Sequence, residues 1–174
     1  MGIADSLSAL GMVAERMGDL EGARACHEAS LANRMEREDQ MGIGESLHNL
    51  ASIDAREGRL DRARARYAKC LSIRKELGDR LGITEALESF GLLETEAGEY
   101  RRAAGLLGTA AAVRAEIEAG TPPARVAQVE GAISRLREAL GGAVFEEEWL
   151  RGRWMSLDQA VELFVSGLDS GHQG

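Results

Sequence analysis

Apolar residues recur along the chain with a helical period. Ile43, Leu47, Leu50 and Ile53 follow steps of four, three and three, which put them on one side of a helix. The same stripe returns as Ile3, Leu7, Leu10 and Val13, and again as Ile83, Leu87, Phe90 and Leu93. Written in rows that begin at Gly2, Gly42 and Gly82, the chain repeats every 40 residues with no gap. Seven columns are identical in all three rows: Gly2/Gly42/Gly82, Ile3/Ile43/Ile83, Leu7/Leu47/Leu87, Gly18/Gly58/Gly98, Ala23/Ala63/Ala103, Arg34/Arg74/Arg114 and Glu36/Glu76/Glu116.

Each row predicts two helices. The first runs from the Gly-Ile pair to just before Gly18, Gly58 or Gly98, where glycine permits the positive φ that ends a helix. The second starts near Leu20, Leu60 or Tyr100 and carries Ala23, Ala63 or Ala103 where two helices cross closely. Arg34 and its equivalents fall in the last turns, where positive charge suits the helix dipole. Neither helix can bury its stripe alone, so the pairs must stack. The expected fold is all-α: a right-handed α-α superhelix of three helix pairs (about 2–41, 42–81 and 82–121) closed by a C-terminal set of about three helices. One domain over residues 1–166 is expected, with a flexible tail at 167–174.

The fourth unit departs from the repeat. Thr121-Pro122-Pro123 reads as an N-cap followed by prolines in the first turn, and Val126, Val129, Ile133, Leu136 and Leu140 stripe the helix that follows. Gly141-Gly142 ends it, and a short helix is expected at about Val144 to Leu150. Ser156 and Gln159 fit a capping box that opens a last helix carrying Leu157, Val161, Phe164 and Val165. Both tryptophans lie in this region, as expected of a cap that closes the open end of the core. Met1 shares a column with Met41 and Leu81, so the first pair is expected to expose an apolar flank, to be covered by an upstream repeat, by a second copy of the chain or by a partner.

Composition narrows the functional classes. A net charge of −8 with no basic block argues against direct nucleic-acid binding. No stretch reaches 18 uninterrupted apolar residues, so no membrane span is expected. MGIADS fits a myristoylation pattern formally, but the Gly-Ile pair returns inside the chain at Gly42 and Gly82. Cys26 and Cys70 sit in helical patterns and read as reduced packing residues of a cytoplasmic protein.

Leu7, Leu10, Gly11, Gly18, Ala23 and Leu31 resemble the tetratricopeptide pattern, and rows two and three match similarly. The 40-residue row is similar to the longer subtype found at the C-terminal end of bacterial signalling ATPases and LuxR-type (MalT-like) transcriptional regulators. The skeleton Phe145, Trp149, Gly152-Arg153, Ser156-Leu157 and Ala160 also resembles the end of those chains. The aromatic residue usual late in the first helix is replaced by Ala14, Asp54 or Glu94. The resemblance implies a non-catalytic protein- or peptide-interaction module, the sensor or scaffold end of a regulator. The alternatives are a structural spacer or oligomerisation module, or the non-catalytic end of a larger NTPase or cyclase polypeptide.

Motifs for chemistry are absent. There is no Walker A, HExxH, CxxC or GxSxG pattern, and Gly42-Ile43-Gly44 lacks the third glycine of a dinucleotide fingerprint. His27 shares a column with Tyr67 and Leu107 and reads as a core histidine. No catalytic residue, cofactor or metal is expected. The resemblance implies instead a concave groove lined by the first helices: Asp5, Ser8, Met12 and Arg16 from row one, Glu45, His48, Asn49, Ser52 and Arg56 from row two, and Glu85, Glu88, Leu92 and Glu96 from row three. Five of these are acidic and two basic, so the wall lacks the Lys/Arg cluster that would clamp a peptide carboxylate. Asn49 can bridge an extended peptide backbone, because its amide both donates and accepts. His48 would make such binding pH-sensitive; the alternative for both residues is a merely solvated helix face.

Overall fold

The computed structural model describes residues 2–166, with side chains to residue 163. The expected tail at 167–174 lies outside them, as do Met1 and the side chains of Phe164 and Val165. The described residues form nine α-helices and no strand. They fall into two compact units, Met1–Leu77 and Gly78–Gly174.

The first unit holds α1 (Ile3–Met17), α2 (Leu20–Glu36), α3 (Gln40–Arg56) and α4 (Leu60–Glu76). These bounds follow the periodicity closely because each end has a local cause. Gly18 and Gly58 take φ of 81° and 73°, as the glycine columns predict. Asp19 and Asp39 cap α2 and α3, each accepting from the backbone N–H three residues on, at 2.9 and 3.0 Å. Helix α3 packs against both α2 and α4. Leu50 and Ile53 are fully buried there, each burial contributing about 2 kcal/mol. Helix α1 packs mainly on α2, and its equivalent Leu10 and Val13 stay 58% and 53% exposed. The apolar flank expected from the repeat is present on α1.

The second unit holds α5 (Arg80–Glu96), α6 (Tyr100–Glu116), α7 (Pro123–Leu140), α8 (Gly142–Trp154) and α9 (Leu157–Ser166). Its core gathers Ala103, Ala104, Leu107, Ala132, Leu136 and Phe145. Ala23, Ala63 and Ala103 are all fully buried, in agreement with their column. Ser156 and Gln159 form the expected capping box, each accepting from the other's backbone N–H at 3.0 and 3.2 Å.

Three local readings change. Thr121 does not cap α7. The cap is Pro122, extended at φ −56° and ψ 139°, because a residue before proline is pushed out of the helical region and Pro123 must therefore come first in the helix. The short helix expected at about 144–150 is longer, 142–154. Trp149 stacks on Phe145 at 5.5 Å and closes the core, but Trp154 is 85% exposed. Five residues along a helix turn about 140° around it, so both indoles cannot face one core.

The turns between repeats hold an unforeseen feature. Glu38 and Glu118 adopt positive φ of 55° and 50°, at the column where row two has Gly78 with φ 67°.

Candidate functional site

Helices α1 and α3 present their polar faces side by side in the first unit, and charged pairs tie them. Arg56 on α3 donates to Glu15 on α1 at 3.5 Å. Arg34, 4% exposed at the end of α2, reaches Asp5 on α1 at 3.4 Å and Glu45 on α3 at 2.9 Å. Its guanidinium also donates to the Gly42 carbonyl at 2.9 Å and the Ser46 hydroxyl at 3.0 Å. Arg34 thus bolts the first helix pair to the second, which is more than a dipole partner does. The Asp5 carboxyl is held below its usual range, first by the Gly2 N–H it accepts and then by Arg34.

On this face Met12, Arg16 and Asp5 of α1 are exposed. Ser8 is buried; it pairs with the Ser30 hydroxyl at 3.2 Å, which itself donates to the Ala4 carbonyl. Ser8 therefore ties α1 to α2. From α3, Glu45, His48, Asn49 and Ser52 are half-buried and Arg56 is exposed. The spacing of three and four residues keeps them on one helix face. The His48 ring meets Tyr67 edge-on at 5.7 Å, which orients it from below.

In the second unit the corresponding residues of α5 are occupied differently. Glu85 is exposed. Glu88 is buried and accepts from Arg114 at 2.8 Å, with Arg125 of α7 at 3.8 Å from its other oxygen. Leu92 packs on the core cluster, and Glu96 pairs with Arg135 of α7. Helix α7 thus engages three of these four side chains.

A second polar cluster escaped the sequence reading. Asp54 is fully buried, yet it accepts from Arg24 at 2.9 Å, Arg59 at 2.9 Å and Arg66 at 2.5 Å, joining α2, α3 and α4. Glu57 takes a second bond from both Arg24 and Arg59. Burial pulls the Arg66 pKa down and Asp54 works against that shift. The signal was the column Ala14/Asp54/Glu94, where a carboxylate replaces an aromatic residue. A carboxylate with three guanidiniums is a structural hub, since the opposite charges compensate for desolvation.

No group of three His, Cys, Asp or Glu among the described residues could hold a metal ion. His27 is fully buried, with Nε2 3.0 Å from Glu15, and its ring fills the space that a Cβ on Gly11 would need. No helix among the described residues is long and apolar enough to cross a membrane.

A family profile described as tetratricopeptide repeat matches residues 2–76 and 42–116. No curated protein and no solved structure matches the chain. The profile covers both helix pairs of the first unit and the pair α5–α6 of the second, the same segments that carry the 40-residue rows. The chain belongs to the tetratricopeptide repeat family.

Proposed function

We propose that the chain is a non-catalytic module that binds a protein or peptide and uses no cofactor. The recognition face is the polar side of α1 and α3, around His48, Asn49 and Ser52. The observation that carries this reading is the half-burial of these three side chains between two charged clasps, Arg34 with Asp5 and Glu45 at one end and Arg56 with Glu15 at the other. Such polar groups on a rigid helix wall exchange water for backbone N–H and C=O groups at little ordering cost. Screening a peptide array and following hits by isothermal titration tests the face. Asn49→Ala and Arg56→Glu should each weaken a genuine ligand about tenfold, and unchanged affinity in both rejects the site.

The setting we propose is the cytoplasm of a bacterium, as the C-terminal sensor or scaffold of a signalling or transcriptional regulator. Cys26 and Cys70, both present as thiols, favour a reducing compartment. The Phe145, Trp149 and Gly152 skeleton supports the regulator through its resemblance to the end of such chains; here these residues join α8 to α6. Genomic sequence upstream that encodes an NTPase module would support this setting, and an unrelated upstream gene on the other strand would sink it.

A second reading, self-association, rests on α1. Ile3, Leu10 and Val13 are exposed at columns where Ile43, Leu50 and Ile53 are buried. Sedimentation over a wide concentration range tests it. Association abolished by Leu10→Lys with Val13→Lys supports the reading, and a strict monomer at high concentration removes it.

A further inference from the structure

A cleft of about 310 Å³ opens between α6, α8 and α9, lined by Arg101, Arg102, Gly105, Glu148, Arg151, Met155 and Leu163. It lies within the second unit. Its size is at the small end of ligand pockets, about 300–1,000 Å³. Two features of the lining decide what fits.

The first is charge. Three arginines and one glutamate line the cleft, a local cationic excess on a chain whose net charge is −8. Glu148, nearly buried, is shared: Arg101 reaches one oxygen at 2.9 Å and Arg151 the other at 3.5 Å. Both arginines remain more than half exposed, and a guanidinium carries five N–H donors, so each keeps capacity for a second anion. Arg102 is held over the Phe90 ring at 5.1 Å, which fixes the inner wall.

The second is the apolar side. Met155, just past the end of α8, and Leu163 of α9 supply hydrocarbon, and Gly105 adds no side chain to the lining. Leu163 is 43% exposed, so part of this surface is open to contact. An arginine pair together with a thioether and an isobutyl group in one lining complements a molecule with an anionic head and a short apolar tail.

We propose that this cleft binds a small amphipathic carboxylate, its head between Arg101 and Arg151 and its tail against Met155 and Leu163. The head replaces part of the hold that Glu148 has on the two arginines. Glu148 thus acts as an internal competitor and sets the affinity.

Titrating the full chain with octanoate, while following the methyl signals of Met155 and Leu163 by NMR, tests the assignment. Saturable shifts are expected for octanoate, with at least tenfold weaker effects from octan-1-ol, which lacks charge, and from inorganic phosphate, which lacks a tail. Arg101→Ala with Arg151→Ala should weaken octanoate at least tenfold, and Glu148→Gln should tighten it severalfold. Should the double variant fail to fold, Arg151→Gln alone serves, with a threefold or greater loss expected. No saturable shift with octanoate, equal binding of octan-1-ol, or unchanged affinity in the arginine variants would overturn the proposal.

Discussion

Arg34 lies across Gly42. Its guanidinium donates to the Gly42 carbonyl at 2.9 Å, and a Cβ on Gly42 would sit 2.5 Å from the arginine's Cδ and 2.2 Å from the Asp39 carboxylate. Two of the columns common to all three rows therefore explain one another in the first unit. The glycine is bare because the capping aspartate and the bolting arginine share its space.

Gly42→Ala should displace Asp39, Arg34 or both. Loss of a cap and of charge-assisted bonds predicts a destabilisation of about 2 kcal/mol. Urea unfolding of the variant checks this; an unchanged midpoint would show that both side chains move aside freely.

Gly152 offers a harsher case, because its neighbour is backbone. A Cβ there would fall 2.1 Å from the Gly105 carbonyl oxygen, and the Thr109 hydroxyl donates to the Gly152 carbonyl at 2.9 Å. Helices α6 and α8 cannot separate without losing that bond and the cap. Gly152→Ala should cost about 3 kcal/mol, at the upper end of overpacking. Gly131 lies in α7 with nothing near its missing Cβ, so Gly131→Ala should gain about 0.5–1 kcal/mol. Thermal melts of the two variants should move in opposite directions.

The left-handed turns make a different forecast. Glu38 holds φ 55° without being glycine. An L side chain in that region costs roughly 1–2 kcal/mol, and the added flexibility of glycine in the unfolded chain offsets part of it. Glu38→Gly should stabilise by about 0.5–1 kcal/mol, and Gly78→Ala, at φ 67°, should destabilise by a similar amount. Chemical denaturation of both variants gives the signs directly.

Asp54 is the member whose loss leaves most uncompensated charge. Its carboxylate is fully buried and bonded to Arg24, Arg59 and Arg66. Asp54→Ala should cost about 3–5 kcal/mol, as expected when one side of a buried ion cluster is removed. Asp54→Asn retains the shape without the charge and should cost less. Equal stability of all three proteins would mean that Glu57, with Glu28 at 3.9 Å from Arg24 and 3.8 Å from Arg66, suffices to hold the arginines.

The acid limb of stability should carry a contribution from Asp5. Its folded pKa is lowered by the Gly2 N–H and by Arg34. The carboxylate's contribution is therefore present above the unfolded pKa of about 3.9 and is lost as pH falls through the lower folded value. In thermal melts from pH 7 to pH 2, the gap between the wild type and Asp5→Asn should hold constant near neutrality and close below about pH 4. A gap that persists at pH 2 would assign the effect to shape.

Periodicity and glycine spacing determined the helices themselves. The stripes over rows one to three, the breaks at Gly18, Gly58 and Gly98, and the Ser156–Gln159 box are local: each depends on residues within one or two turns, so their signal survives in linear sequence. Glu38 and Glu118 carried no such signal, since their positive φ is imposed by the chain reversal between packed helices. The candidate face was legible only as a stripe. Whether Ser8 faces out or pairs with Ser30, or whether Glu88 is free or clasped by Arg114, depends on residues more than 20 positions away. The Asp54 hub and the Gly105–Gly152 crossing are likewise decided by which helices meet. Helical period is a property of neighbours along the chain; burial, pairing and close approach are properties of neighbours in space, and tertiary packing alone selects those.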